Sequence, residues 1–365
     1  MSQQAITALE KILRPHAGLG KTRLETLCLM VTGMISARTV NLGHIACERP
    51  GGSALIASTY RRLQRFFQHV ELDRDWTLSL LAELLALEGS WHLALDRTQW
   101  SRGKREINYL VLAVVTRRFR VPLFWSVLPN NGSSPTAVRI ALMQRYLAHF
   151  APSTIRLLLA DREFVGAEWL KFLNDNNIPF AIRLRENLRV TDEDGHDLTL
   201  RARLRRGRGS RSFRARMGAR DDAATGHGPL LNFAAKRLKD EWLIVVSNVA
   251  PRTALAAYRK RWAIECLFGD AKTRGLNLED TGLTDPRKLD LLMGIVALAL
   301  AWAGRTAANL LGPHAPKRKS HGYLAKSWFR IGFDQIRNLL RSDPVAAIAA
   351  WLRLPSKPLK MRRVV

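Results

Sequence analysis

WHLALDRTQWSRGKREINYLVLAVVTRRFRVPLFWSVL, residues 91–128, is where the chain turns from helical to extended patterning. WHLALD is a short apolar run of buried-strand type, and it ends at Asp96. INYLVLAVVT and VPLFWSVL follow, rich in β-branched and aromatic residues. The basic turn at 117–120 between them predicts a hairpin. Downstream, the loop PNNGSSP leads to a helix near 136–149, and IRLLLAD is a further buried-type strand ending at Asp161. A helix near 166–176 and a fifth strand, PFAIRLR, complete the order β-β-β-α-β-α-β, an α/β core.

On the N-terminal side, residues 1–85 read as helical, with apolar positions at helical spacing in 6–13 and 24–35. A Pro-Gly-Gly break at 50–52 precedes LIASTYRRLQRFFQH, which sets Arg61, Arg62 and Arg65 beside Tyr60, Phe66 and Phe67. A helix, a break and a basic helix resemble a helix-turn-helix reader of duplex DNA. The plainer reading is an amphipathic helix whose aromatics are core. On the C-terminal side, residues 187–250 read as a β-rich insertion. TDEDGHD is a turn, residues 201–220 hold nine arginines and no acid, and EWLIVVSN is a strand. The arginine tract is either a solvated loop or a track for DNA phosphates, which would relieve its self-repulsion. A long apolar helix near 286–310 is expected to pack across the sheet. A basic loop at 317–319, a helix near 331–341 and the basic tail KPLKMRRVV follow. The expected division is 1–85 (helical, DNA-binding), 86–186 (core, first part), 187–250 (insertion), 251–312 (core, second part) and 313–365 (helical, a candidate for dimer contacts).

The 365 residues are 47% hydrophobic, enough for a large core, and carry a net charge of +27. Charge so far from zero repels itself unless a polyanion is the partner, which points to nucleic acid. A membrane surface would require an anchor. The longest apolar run, 291–303, is short of the roughly 20 residues a spanning helix needs. The start, MSQQAITALEKIL, lacks the pattern of an export signal. Three cysteines without a C-x-x-C pair argue against disulfides and structural zinc, and His44 with Cys47 reads as packing. The expected setting is cytoplasmic and nucleoid-associated.

The stretch YRKRWAIECLFGDAK places Tyr258, Arg261, Glu265 and Lys272 at the spacing Y-x2-R-x3-E-x6-K. On one continuous helix these offsets fall within an arc of roughly 60°. Glu can hold a metal, Arg and Lys can hold phosphate, and Tyr can hydrogen-bond a phosphate oxygen. A solvated face with an Arg261–Glu265 ion pair is the alternative. Asp96 and Asp161, each expected at the end of an apolar strand, are either local caps or the remainder of an acidic metal cluster. Hard cations such as Mg2+ take carboxylate oxygens, and two ions about 4 Å apart support in-line phosphoryl transfer.

With LALDRTQW around Asp96, LLLADREF around Asp161 and the Y-R-E-K spacing intact, the chain resembles a DDE transposase of a bacterial insertion sequence. The similar family is the one carrying the Y-R-E-K motif, the insertion-sequence-four family, and the resemblance spans roughly residues 55–305. It implies a ribonuclease-H-like catalytic core with a β-rich insertion before the Glu helix. It also implies cut-and-paste transposition, with metal-dependent nicking at the element ends followed by attack of a 3′-OH on target DNA. Asp96, Asp161 and Glu265 would be catalytic and hold two Mg2+ ions, with Mn2+ as substitute. Tyr258, Arg261 and Lys272 would hold DNA phosphates, and Trp242 would stack on a flipped base unless it is a core residue; Arg162, beside Asp161, would contact DNA or pair with Glu163 or another acid. The implied partners are double-stranded DNA, as transposon end repeats and target, and a second copy of the chain in a homodimeric DNA complex. A nuclease without strand transfer and an inactive DNA-binding descendant are the rival readings.

Overall fold

Residues 3–51, 55–129, 132–205, 207, 209–218 and 228–352 are described by the computed structural model. The chain opens with α1 (Gln3–Ala17), which buries Ile6, Leu9 and Leu13 at helical spacing. Next come α2 (Lys21–Ala37), almost wholly buried from position 24 to 35, and α3 (Leu42–Cys47), N-capped by the Asn41 side chain. Then follow α4 (Ile56–His69), which packs on α2 and α3, and α5 (Leu78–Leu85).

The expected order β-β-β-α-β-α-β is observed. It comprises β1 (Trp91–Arg102), β2 (Arg105–Val115), β3 (Arg120–Leu128), α6 (Thr136–Leu147), β4 (Ile155–Ala160), α7 (Ala167–Asp175) and β5 (Phe180–Leu184). The first three strands form an antiparallel meander. β4 lies parallel to β1 and β5 parallel to β4. This order, β3-β2-β1-β4-β5, is compatible with a ribonuclease-H-like core. β3 is the edge strand, so Pro122, which has no N–H to donate, is tolerated beside a register shift in β2.

Residues 187–250, expected as an insertion, form β6 (Arg189–Asp192), β7 (Asp197–Thr199), the short α8 (Leu200–Leu204), β8 (Ser210–Met217), β9 (Leu231–Arg237) and β10 (Trp242–Ser247). β10 pairs antiparallel with β5, so among the described residues all ten strands form one sheet. The arginine tract is not a plain loop. Arg201 and Arg203 sit on α8 and Arg211, Arg214 and Arg216 on β8, while Arg206, Arg208 and Arg220 lie outside the described residues.

The chain closes with α9 (Pro251–Tyr258), α10 (Trp262–Ala271), α11 (Pro286–Leu311), α12 (Trp328–Ser342) and α13 (Pro344–Ala347). Asp285 caps the start of α11 with Pro286 in its first turn. α11 is long and apolar enough to cross a membrane, yet 89% of its most apolar window is buried inside the protein. It touches β3, α2, α5 and α12, which makes it the central core helix. α9, α10 and α11 cover one face of the sheet, and α6 and α7 the other. The basic tail lies outside the described residues.

Candidate active site

Asp96 and Asp161 stand side by side because the parallel ladder between β1 and β4 pairs Leu95 with Ala160. Each aspartate is the next residue along. The expectation that Asp96 ends its strand is corrected here. β1 runs on to Arg102 because β2 pairs it to the end, and only β4 stops beside Asp96. Side chains alternate along a strand, so Asp96 shares its face with Thr98, which lines a small cavity together with Leu267 and Phe268 of α10.

The segment 258–272 is not one continuous helix. α9 ends at Tyr258, a 3-10 turn covers Arg259–Arg261, α10 begins at Trp262, and Lys272 is its C-cap. Three of the four motif side chains nonetheless converge on the acids. The Tyr258 hydroxyl donates to Asp161 Oδ1 at 3.3 Å. Arg261 Nη1 donates to Asp96 Oδ2 at 3.1 Å, and its Nη2 to Glu265 Oε1. The ion pair left open by the spacing is therefore present, and it extends to Asp96.

Burial pushes the Asp96 carboxyl up to about 6, with Glu163 and Asp161 adding to the rise and the Arg97 N–H and Arg261 opposing it. Burial also raises the Tyr258 phenol, and the Asp161 charge raises it further, so Tyr258 remains a donor. Burial pulls the Arg261 guanidinium down, but Tyr258, Asp161, Asp96 and Glu265 together hold it above its usual value. The fourth motif residue is turned aside. Lys272 Nζ donates to the Gln99 carbonyl at 3.0 Å, pairs with Glu279 at 2.8 Å and lies 5.4 Å above the Trp100 ring.

In front of the two aspartates is an open cleft of about 350 Å3, lined also by Arg97, Arg162, Glu163 and Arg185. Arg162 is exposed at its mouth, and its expected partner Glu163 is held by Arg97 at 2.7 Å. Sequence reading missed Arg97 and Arg185, whose positions depend on pairing across the sheet. It also missed Trp262, 63% exposed, although its place directly after Arg261 was a usable signal. His92, on the same face of β1 as Asp96, accepts from Lys260 Nζ at 3.2 Å. Burial, helped by Lys260 and Arg156, pushes its pKa down to about 4, so it accepts as a neutral imidazole.

Two expectations change. Trp242 is 5% exposed, with the Arg237 guanidinium over its ring and Gly207 against its edge, so it packs as a core residue and offers no open face to a base. Arg62 turns inward and donates to Thr26 Oγ1 and the Thr22 carbonyl at 2.7 Å each, and to Glu25 at 2.9 Å, tying α4 to α2. Arg61 and Arg65 remain exposed.

Among the described residues, the group of three ligating side chains with donor atoms within 4.8 Å of one another is Asp192, Asp194 and His196. These lie on the exposed β6–β7 turn, where Asp192 Oδ1 accepts the N–H groups of Asp194 and His196, which accounts for their closeness. Between Asp96 and Glu265 sits the Arg261 guanidinium, paired with both.

A family model described as a transposase DDE domain matches residues 69–302, a span that contains Asp96, Asp161, Glu265 and the whole sheet. No curated protein matches the chain.

Proposed function

The chain belongs to the transposase DDE domain family, and from that premise we propose that it is a cut-and-paste transposase of the Y-R-E-K, insertion-sequence-four type with Asp96, Asp161 and Glu265 as its acids. As a DDE transposase it is an enzyme that cleaves and joins DNA strands and uses divalent metal ions. The observation that carries the residue assignment is the Leu95–Ala160 register. It sets two aspartates abreast, with Arg261 and Glu265 facing them.

The donor set fits a hard cation. It is all carboxylate, it opens into a cleft rimmed by arginines, and its charges already draw a cation, the Arg261 guanidinium, between Asp96 and Glu265. Bound ions, two Mg2+ in this reading with Mn2+ as substitute, would supply the positive charge that activates the attacking oxygen and stabilises the leaving one. The protein's own groups do the rest. Arg261 gives up the two acids and turns to the DNA phosphate, a bidentate exchange suited to a guanidinium. The Tyr258 hydroxyl orients Asp161. Arg162, Arg97 and Arg185 neutralise phosphates entering the cleft, and Lys272 joins them by leaving Glu279.

In the first step a water oxygen attacks phosphorus at the element end and the P–O3′ bond breaks, freeing a 3′-OH. In the second step that 3′-OH attacks a target phosphodiester, and a target 3′ oxygen leaves with the proton. The substrate is duplex DNA, as end repeats and target, held by a homodimer that pairs two ends.

Asp161→Asn tests this reading. With a duplex carrying the terminal repeat and Mg2+, cleavage should disappear while binding in a mobility-shift assay persists. Retained cleavage would overturn the assignment of Asp161. Cleavage by the unaltered protein without any joined product, when a 3′-OH end is supplied, would instead favour a nuclease.

A further inference from the structure

Away from the acids, Arg61, Arg65 and Gln68 fall at i, i+4 and i+7 on α4 and share one face. That face walls a cleft of about 690 Å3. The opposite wall comes from the core: Arg102, the last residue of β1, and Lys288 in the first turn of α11. Lys288 Nζ donates to Gln68 Oε1 at 2.6 Å, which joins the two walls. Among the described residues lining this cleft there is no aspartate or glutamate.

The neighbouring cleft, beyond the end of α4, is different in kind. There Glu71, Asp73 and Asp290 face Arg74 and Arg287, and Arg287 pairs with Glu71 at 3.1 Å. Positive charge is therefore concentrated in one of two adjoining clefts.

The hairpin tip points the same way. Arg102 stands directly opposite Arg105 in the β1–β2 ladder, with Gly103 and Lys104 in the turn. Like charges facing each other across a ladder are destabilising. The one nearby acid on that hairpin end, Glu106, is bonded to Ser101. Such an arrangement is relieved by an anion with spaced charges.

We propose that this cleft binds the phosphate backbone of duplex DNA, gripping it between Arg61 and Arg65 on one wall and Arg102 and Lys288 on the other. That the polyanion is DNA rests on the transposase reading, whereas the anion preference rests on the cleft itself. Along β1 the cleft lies about 20 Å from Asp96, at roughly 3.3 Å per residue. That equals about six steps along a DNA strand at roughly 3.4 Å each, so one duplex can reach both sites. Contacts of this kind position a duplex without reading its sequence.

The test is binding of the full chain to a random-sequence 30-base-pair duplex in EDTA, by fluorescence anisotropy across a salt series. The double variant Arg102→Gln/Lys288→Gln should reduce the slope of log K against log salt by about 2, as expected for two lost phosphate contacts. Between 50 and 200 mM salt the unaltered protein should accordingly lose about tenfold more affinity than the variant. Arg61→Gln/Arg65→Gln should act alike and decides the matter should the first pair fail to fold. Arg74→Gln/Arg287→Gln, in the neighbouring cleft, should leave the slope unchanged. Slopes in both cleft variants equal to that of the unaltered protein would overturn the proposal. Because EDTA removes metal chemistry, this outcome is independent of the Asp161→Asn result.

Discussion

Trp242 does not take the stacking role that the family resemblance implied for it, and Trp262, which the sequence reading passed over, is the exposed tryptophan of the motif. Trp242 lies in an apolar strand run upstream of the motif, which made it the candidate for stacking on a base. Its burial is set by Arg237, its partner across the β9–β10 hairpin, and by Gly207, which no local pattern links to it. Trp262 is 63% exposed beside Arg261 and adds little to the core. Trp262→Ala should leave the melting temperature unchanged and weaken binding to a cleaved end with an unpaired base by about 5- to 100-fold, the worth of one stacked base. Trp242→Ala should instead cost about 3–5 kcal/mol in urea unfolding. Equal melting temperatures for the two variants would reject this division. The same limit applies to the arginines of α4. Spacing made Arg61, Arg62 and Arg65 alike, but Arg62 has its partners on α2, and that packing is invisible in a single helix. Asp270 supplies a pH test. Burial pushes its carboxyl up to about 6, against Arg120, Arg274 and Arg330. A carboxyl raised on folding binds its proton more tightly in the native state, so stability falls as pH rises from its unfolded pKa near 4 to about 6. Relative to Asp270→Asn, the unaltered protein should lose about 3 kcal/mol across that window in unfolding measurements. A constant difference between the two would reject the shift.

Local pattern was enough to give the elements of the core, because buried strands and amphipathic helices each carry their own period. Their ends were harder to read. WHLALD looks complete at Asp96, yet β1 continues through polar Arg97, Thr98 and Gln99 because β2 offers a partner for every one of them. The break at Arg259–Arg261 has no glycine or proline beside it to announce it. What fixes it lies far upstream, where Lys260 meets His92 and Arg261 meets Asp96. The crossing of α12 over α11 is equally hidden. A Cβ built at Gly332 would sit 1.7 Å from the Ala303 carbonyl oxygen, so the two helices touch backbone to backbone. Gly332→Ala gains helix propensity but must push the helices apart, and overpacking of this kind costs about 1–3 kcal/mol or more. The urea midpoint should fall accordingly. A midpoint that rises, as propensity alone would give, would show that α12 does not lie this close to α11.

Charge was the property of the whole molecule most openly written in the sequence, but where it gathers was not. Of the +27 excess, four cations meet without an acid in the cleft between α4 and the β1–β2 hairpin, whereas the cleft at Asp96 and Asp161 sets three arginines against three acids, and both surfaces are assembled from residues distant in the chain. Only folding brings Arg61 opposite Arg102. A fold that concentrates like charge works against its own stability, and salt or a polyanion should relieve it. Raising salt from about 20 to about 150 mM shortens the screening length from some 20 Å to about 8 Å and with it the reach of repulsion, so the melting temperature should rise. At the lower salt, a random-sequence duplex at about 100 times its Kd should add roughly 2.7 kcal/mol of stability, seen as a further rise in melting temperature. The DNA effect should shrink as salt increases, because both act on the same charges. If salt lowered the melting temperature instead, paired surface charges rather than repulsion would dominate the electrostatics, and the exposed arginines would already have their partners within the chain.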